Sequence, residues 1–139
     1  MIGILVVTHG GLGKSLIETA KLILGTMPEN VKPVCIDLTS SVDDLHARLA
    51  SEIKHINTGH GVLLLTDMFG GTPSNLSYSL LDEGKVEVIS GVNLPVLLKA
   101  ISKQQDTDLT QVARLLEVTG KRSISTASGI LQGNTRRAE

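Results

Sequence analysis

The sequence predicts an α/β fold: a doubly wound, mostly parallel sheet with strand order 2-1-3-4 and helices on both faces. Three observations carry this expectation. Aliphatic runs of strand length alternate with stretches whose apolar residues recur at helical spacing. Two of the runs, Ile2 to Thr8 and Val62 to Leu65, are the most apolar in the chain, as expected of strands covered on both faces. Glycines, prolines and capping residues fall between these segments.

Taken in order, Ile2 to Thr8 reads as a buried strand, and His9-Gly10-Gly11 as the turn that follows it. Leu12, Leu16, Ala20, Ile23 and Leu24 then repeat at helical spacing, and Gly25 and Pro28 make a stop. Val31 to Leu38 is a more polar strand carrying Pro33; a proline cannot donate to a ladder, which places this strand at an edge. Ser41 to Asp44 has the form of a capping box. The helix it opens shows Val42, Leu45, Leu49, Ile53 and Ile56 on one face. Val62 to Leu65 is the third strand, and the next helix carries Leu76 and Leu80 inward. Val86 to Ile89 is the fourth strand. Asn93 caps a helix with Val96, Leu97, Ala100 and Ile101 inside, and Asp108 caps another with Leu109, Val112, Ala113 and Leu116 inside, ending at Gly120. Arg122 to Ala127 alternates like a last strand. Residues 1–127 are expected to form a single domain, with 128–139 as a polar tail.

Composition narrows the function. The chain has 139 residues, 41% of them hydrophobic but only 1% aromatic, so the core must be aliphatic. The net charge of −1 and the near absence of stacking side chains argue against a nucleic-acid partner. A single cysteine, Cys35, excludes an intramolecular disulfide and fits the cytoplasm. The apolar run at Ile2 to Val7 is too short for a membrane span or a signal-peptide core, so a soluble protein is expected.

With the two most apolar strands side by side, the topological switch point falls between strands one and three, at their carboxyl ends, where such folds bind ligands. His9 stands at the first end and Asp67 at the second. Each alone has a plain reading: a histidine or an aspartate after a strand often just completes a turn. Together at a binding crevice they read as a pair. A carboxylate that accepts a hydrogen bond from one ring nitrogen sets the tautomer and leaves the other nitrogen as a nucleophile. Beyond Asp67, Gly70-Gly71 is a flexible turn, with Thr72 as the N-cap and Pro73 at the first position of a helix. Gly70, Gly71 and Thr72 are thus candidates to hold the phosphoryl group that such a nucleophile would carry. This chemistry requires neither metal nor other cofactor.

A competing reading is nucleotide binding. Thr8 to Ser15 misses the phosphate-loop pattern G-x-x-x-x-G-K-[ST] by one position, because Thr8 replaces the first glycine. Asp67 would then be a magnesium ligand. A dinucleotide site is weaker, since Leu16 stands where a small residue must be. His46, His55 and His60 read as surface residues, Cys35 as a small apolar strand residue, and Ser74, Asn75 and Tyr78 as ordinary positions of the third helix, with the Ser74 amide as an added donor.

Three segments, Ile4 to Gly10, Leu64 to Asn75 and Ile89 to Pro95, are similar to motifs of the enzyme IIA domain of the mannose family of the bacterial sugar phosphotransferase system (PTS). The resemblance spans residues 1–127. It implies that His9 is phosphorylated on Nε2 by the histidine carrier HPr and passes the group to a IIB protein, that Asp67 orients the ring, and that Thr72 is the hydroxyl residue beside the phosphoryl group. It implies a homodimer, with the 122–127 strand joining the partner's sheet edge. It also implies contact with the membrane only through the transporter. Many members of that family continue through an Ala/Pro-rich linker into a IIB domain; this sequence shows no such linker, so the IIB partner is expected on a separate polypeptide. A standalone regulatory IIA and the phosphocarrier subunit for dihydroxyacetone kinase share these features.

Overall fold

The computed structural model describes residues 1–133. Its central strands are β1 (Gly3–His9) and β3 (Val62–Thr66), and every residue of both but His9 is buried. They are flanked by β2 (Val31–Ile36) and β4 (Val86–Ser90) in one parallel sheet of order β2-β1-β3-β4. Strands buried on both faces need side chains that suit both, and Ile4, Leu5, Val6 and Val7 opposite Leu63, Leu64, Leu65 and Thr66 supply them. Pro33 lies in β2, on the outer edge, as its missing donor requires.

The alternation along the strands divides the core into two layers. Ile2, Ile4, Val6, Leu63 and Leu65 face α1 (Leu12–Leu24), α4 (Leu94–Ser102) and α5 (Leu109–Arg122). Leu5, Val7, Val34, Ile36, Val62 and Leu64 face α2 (Val42–Ile56) and α3 (Thr72–Tyr78). Three of the helices begin at the expected caps. Ser41 Oγ accepts from Asp44 N, Asn93 Oδ1 from Val96 N, and Asp108 Oδ1 from Gln111 N. Among the described residues no helix is long and apolar enough to cross a membrane.

Three expectations are corrected. First, α1 does not rest on its leucine stripe. Leu12, Ile23 and Leu24 are exposed, and Gly13, Ile17 and Ala20 are buried. Gly13 sets this rotation: a Cβ there would lie 2.8 Å from the Val6 carbonyl oxygen, so the helix approaches β1 at its smallest residue. On α2, Val42 is likewise exposed. Secondly, Gly120 does not end α5, which runs on to Arg122. Thirdly, 122–127 is not a strand. Arg122 belongs to α5, and Thr126 caps a short helix, α6 (Ala127–Leu131), by accepting from Gly129 N. A strand exists only through its ladder, and these residues meet no free edge of their own sheet. Helix α6 takes up part of the stretch expected as a tail; residues 134–139 of that tail lie outside the described residues.

The rotation of α1 is testable. Ile17→Ala should cost about 2–5 kcal/mol of unfolding free energy, as for a buried aliphatic side chain. Leu12→Ala should cost about 0.5 kcal/mol, as for a surface change. Guanidinium titrations of the two variants measure the difference, and equal losses would place Leu12 in the core.

Candidate functional site

The register of the sheet assembles the site. Val7 pairs with Thr66, so His9 and Asp67 emerge from adjacent parallel strands at their carboxyl ends. Neighbouring strands run about 4.8 Å apart, within reach of a side-chain hydrogen bond. Asp67 Oδ2 accepts from the His9 backbone N–H at 2.9 Å and lies 2.7 Å from His9 Nδ1. Asp67 Oδ1 accepts from the Met68 N–H at 2.9 Å. An ionised carboxylate can only accept, so Nδ1 is the donor of this bond, and in the neutral ring Nε2 then keeps its lone pair. The two side chains differ in access: His9 is 40% exposed and Asp67 only 9%.

Burial works against ionisation of Asp67. The His9 backbone N–H, the His9 ring and the Met68 N–H outweigh it and hold the carboxyl below its ordinary value of 3.8. A charged acceptor therefore faces the imidazole across the whole neutral range. It also favours positive charge on the ring, should the other nitrogen gain a substituent.

The glycine turn closes on the free side of the ring. Gly70 has φ +86, where a side chain would be strained. Gly71 has ordinary backbone angles, but a Cβ there would lie 2.8 Å from His9 Cε1 and 3.4 Å from Nε2. Only glycine lets the amino end of α3 come this close to the nucleophilic edge. Gly71, not Thr72, is the N-cap; Thr72 is the first helical residue, and no side chain caps the turn. Proline follows Thr72 and has no N–H, so the amides of the first turn of α3 are those of Thr72 and Ser74. The contact of Gly71 with the imidazole is a packing fact that the sequence did not signal. Nor did it signal that the Ser74 hydroxyl is buried beneath this turn.

Other candidates fall away from the site. Only Gly10 and Gly11 connect β1 to α1, and the Gly13 N–H is taken by Thr8 Oγ1 at 2.8 Å. The segment that imitates a phosphate loop is thus a tight strand-to-helix turn whose amide is spent internally. His55 Nδ1 lies 2.8 Å from the Ser51 carbonyl, and His60 is beside the amino terminus, both exposed. His46 is half-buried on a hollow of about 330 Å³ between α2 and α3, which Thr72 also lines. Among the described residues no three His, Cys, Asp or Glu side chains are placed to share a metal ion. Both oxygens of Asp67, the magnesium candidate, are occupied by protein donors.

Comparison with known proteins gives a consistent family. Residues 3–117 match the EIIA-man model, described as the PTS system fructose IIA component. The chain is 30% identical over 125 residues to the mannose-specific EIIAB component of the PTS of Escherichia coli K12, covering 88% of this chain and 38% of that protein. The chain therefore spans well under half of that relative's length. It is 29% identical over 133 residues to the fructose-specific EIIA component of Bacillus subtilis, covering 95% and 90% of the two chains. The crystal structure of the phosphotransferase system component EIIA from Streptococcus agalactiae superposes with a TM-score of 0.81 at 28% identity, covering 92% of this chain and 98% of that one.

Two predictions arise from this geometry. Because the folded Asp67 carboxyl is held below 3.8, its contribution to stability is present above that value and is lost as pH falls through the lower folded value. The stability gap between wild type and Asp67→Asn should therefore be widest above about pH 5 and shrink in the acid range. Denaturant melts across pH would show it, and a pH-independent gap would mean that the carboxyl is not shifted. Gly71→Ala should change stability by less than about 1 kcal/mol, yet displace the imidazole, which the His9 ring resonances in NMR would report.

Proposed function

Because the chain belongs to the EIIA-man family, we propose that it is a phosphohistidine carrier of the sugar phosphotransferase system, in which His9 takes a phosphoryl group from HPr and passes it to a IIB protein. The observation that carries this reading is the 2.7 Å hydrogen bond between Nδ1 of a part-exposed His9 and a half-buried, ionised Asp67. With Nδ1 donating to the carboxylate, Nε2 of the neutral ring keeps its lone pair, as a nucleophile must.

In the proposed transfer, Nε2 approaches the phosphorus in line with the donor's nitrogen–phosphorus bond. The new bond forms as the old one breaks, and its electron pair returns to the donor imidazole. His9 keeps its Nδ1 proton, so the ring gains positive charge on phosphorylation, and Asp67 stabilises it. Both bonds are phosphoramidates; the step is close to thermoneutral and runs in either direction. The protein's contribution is position and charge stabilisation. The Gly70-Gly71 turn and the Thr72 hydroxyl and amide supply donors for the phosphoryl oxygens, and the glycines give that group room beside Nε2.

The proposal places the protein in the cytoplasm, where HPr and phosphoenolpyruvate are, and reaches the membrane only through a transporter. It extends to a homodimer in which the C-terminal segment meets the open edge of a partner's β4. Ile124 and Leu131 of this segment are 83% and 86% exposed and so open to such a contact. The same carrier chemistry would serve a regulatory IIA or the phosphorylation of a dihydroxyacetone kinase.

The test is phosphorylation with enzyme I, HPr and radiolabelled phosphoenolpyruvate. Acid-labile, alkali-stable label is expected on wild type and none on His9→Ala. Asp67→Ala should slow labelling about a hundredfold, as for loss of a preorganised charge partner, and Thr72→Ala less, since backbone donors remain. An unlabelled wild type beside fully charged HPr would remove the carrier reading. Onward transfer to a IIB protein separates a transport component from a purely regulatory one.

A further inference from the structure

Beneath the glycine turn lies a group of hydroxyls in an otherwise aliphatic layer. Thr66 and Ser74 are both 0% exposed. Ser74 Oγ donates to the Met68 carbonyl. It lies 2.6 Å from Thr66 Oγ1 and 3.3 Å from Ser90 Oγ. Thr66 Oγ1 is 3.2 Å from Ser90 Oγ, and Tyr78 Oη closes the group at 2.5 Å from Ser90. Four elements contribute: the end of β3, the turn, α3 and the end of β4. Alanine or valine would fill this space without the desolvation that a hydroxyl brings. The hydroxyls must therefore be read by where their hydrogen bonds go.

One of them leaves the group, from Ser74 to the Met68 carbonyl; the others run between the hydroxyls. Ser74 has a single proton, and the Met68 carbonyl takes it; Thr66 Oγ1 and Ser90 Oγ lie against the Ser74 oxygen. The Met68 residue so held also donates its N–H to Asp67 Oδ1. That contact turns the carboxylate so that Oδ2 faces both the backbone N–H and Nδ1 of His9. Ser74 thus fixes the Met68 carbonyl, the Met68 backbone joins it to the N–H that holds Asp67 Oδ1, and Asp67 Oδ2 meets the imidazole.

We infer that Ser74 is a positioning residue for the His9–Asp67 pair, acting through the Met68 peptide and itself held by Thr66 and Ser90. In rate terms the inference rests on the carrier reading above; in geometric terms it stands without it. The hydroxyl presets the carboxylate in the orientation that keeps the proton on Nδ1. Without it the Met68 peptide loses its buried tether, Asp67 gains torsional freedom, and the ring spends part of its time as the Nε2–H tautomer, which cannot attack.

The test compares Ser74→Ala with Ser77→Ala. Ser77 is a control on the same helix: it is also 0% exposed and its hydroxyl bonds to the Pro73 carbonyl at 2.7 Å, with no link to Met68. Two measurements are made on each: the rate of labelling from charged HPr, and the ¹⁵N shifts of the His9 ring in histidine-labelled protein. Ser74→Ala should lose roughly five- to tenfold in rate, the equivalent of one hydrogen bond, and shift the ring nitrogens towards the Nε2–H tautomer. Ser77→Ala should leave both unchanged at a similar cost in denaturation midpoint. Ring shifts that match wild type in Ser74→Ala, or that move equally in Ser77→Ala, overturn the inference. A wild type that HPr does not label defeats the carrier reading instead, and the ring shifts still decide the role of Ser74.

Discussion

The candidate site depends on one constraint, the parallel pairing of β1 with β3. Val7 lies opposite Thr66, so His9, two residues further along β1, and Asp67, the residue after Thr66, stand diagonally across the adjacent strand ends. A slip of one residue would turn the side chains of either strand to the opposite layer. The two apolar layers forbid that slip, because both faces of each strand are already committed to aliphatic partners. The accuracy of the His9–Asp67 hydrogen bond is thus inherited from the core. Its strength comes from the setting: Asp67 is withdrawn from water but receives three N–H donors, so it stays charged where a lone buried carboxyl would not.

On the other side of the ring the constraint is steric. The segment from Asp67 to Thr72 has to bend back so that α3 begins beside the imidazole. Gly70 makes the bend with a positive φ, and Gly71 makes the close approach with an ordinary backbone but no side chain. The two adjacent glycines therefore do different things. The hydroxyls of Thr66, Ser74 and Ser90 lie behind that bend, and through Ser74 they tie the Met68 carbonyl to the end of the sheet. The polar groups are thus at the carboxyl ends of the strands, while the layers below them are aliphatic.

The same logic explains why the nucleotide-binding pattern misleads. In Gly13-Lys14-Ser15 the glycine serves helix-to-strand packing: its Cα faces the Val6 carbonyl, and its amide is held by Thr8. A phosphate loop needs such amides free and a longer connection between strand and helix. Membership of the EIIA-man family accords with this fold, in which the strand-one turn presents a histidine instead of a phosphate cradle.

The sequence by itself determined the strand order, the two-layer sheet, most caps and the place where His9 and Asp67 meet. These depend on near-neighbour properties: aliphatic runs long enough for a strand, helical periodicity, capping residues and the rule for switch points. It also contained the three motifs that identify the family. The tertiary structure alone decided what depends on contacts between distant segments. The face on which α1 rests was set by the approach of Gly13 to β1, against the leucine periodicity. Residues 122–127 alternate like a strand and still do not form one, since a strand exists only where it pairs with an edge. The roles of Gly71 and Ser74 were hidden for the same reason. Each acts on a partner, the His9 ring or the Met68 carbonyl, that only the folded turn brings within reach.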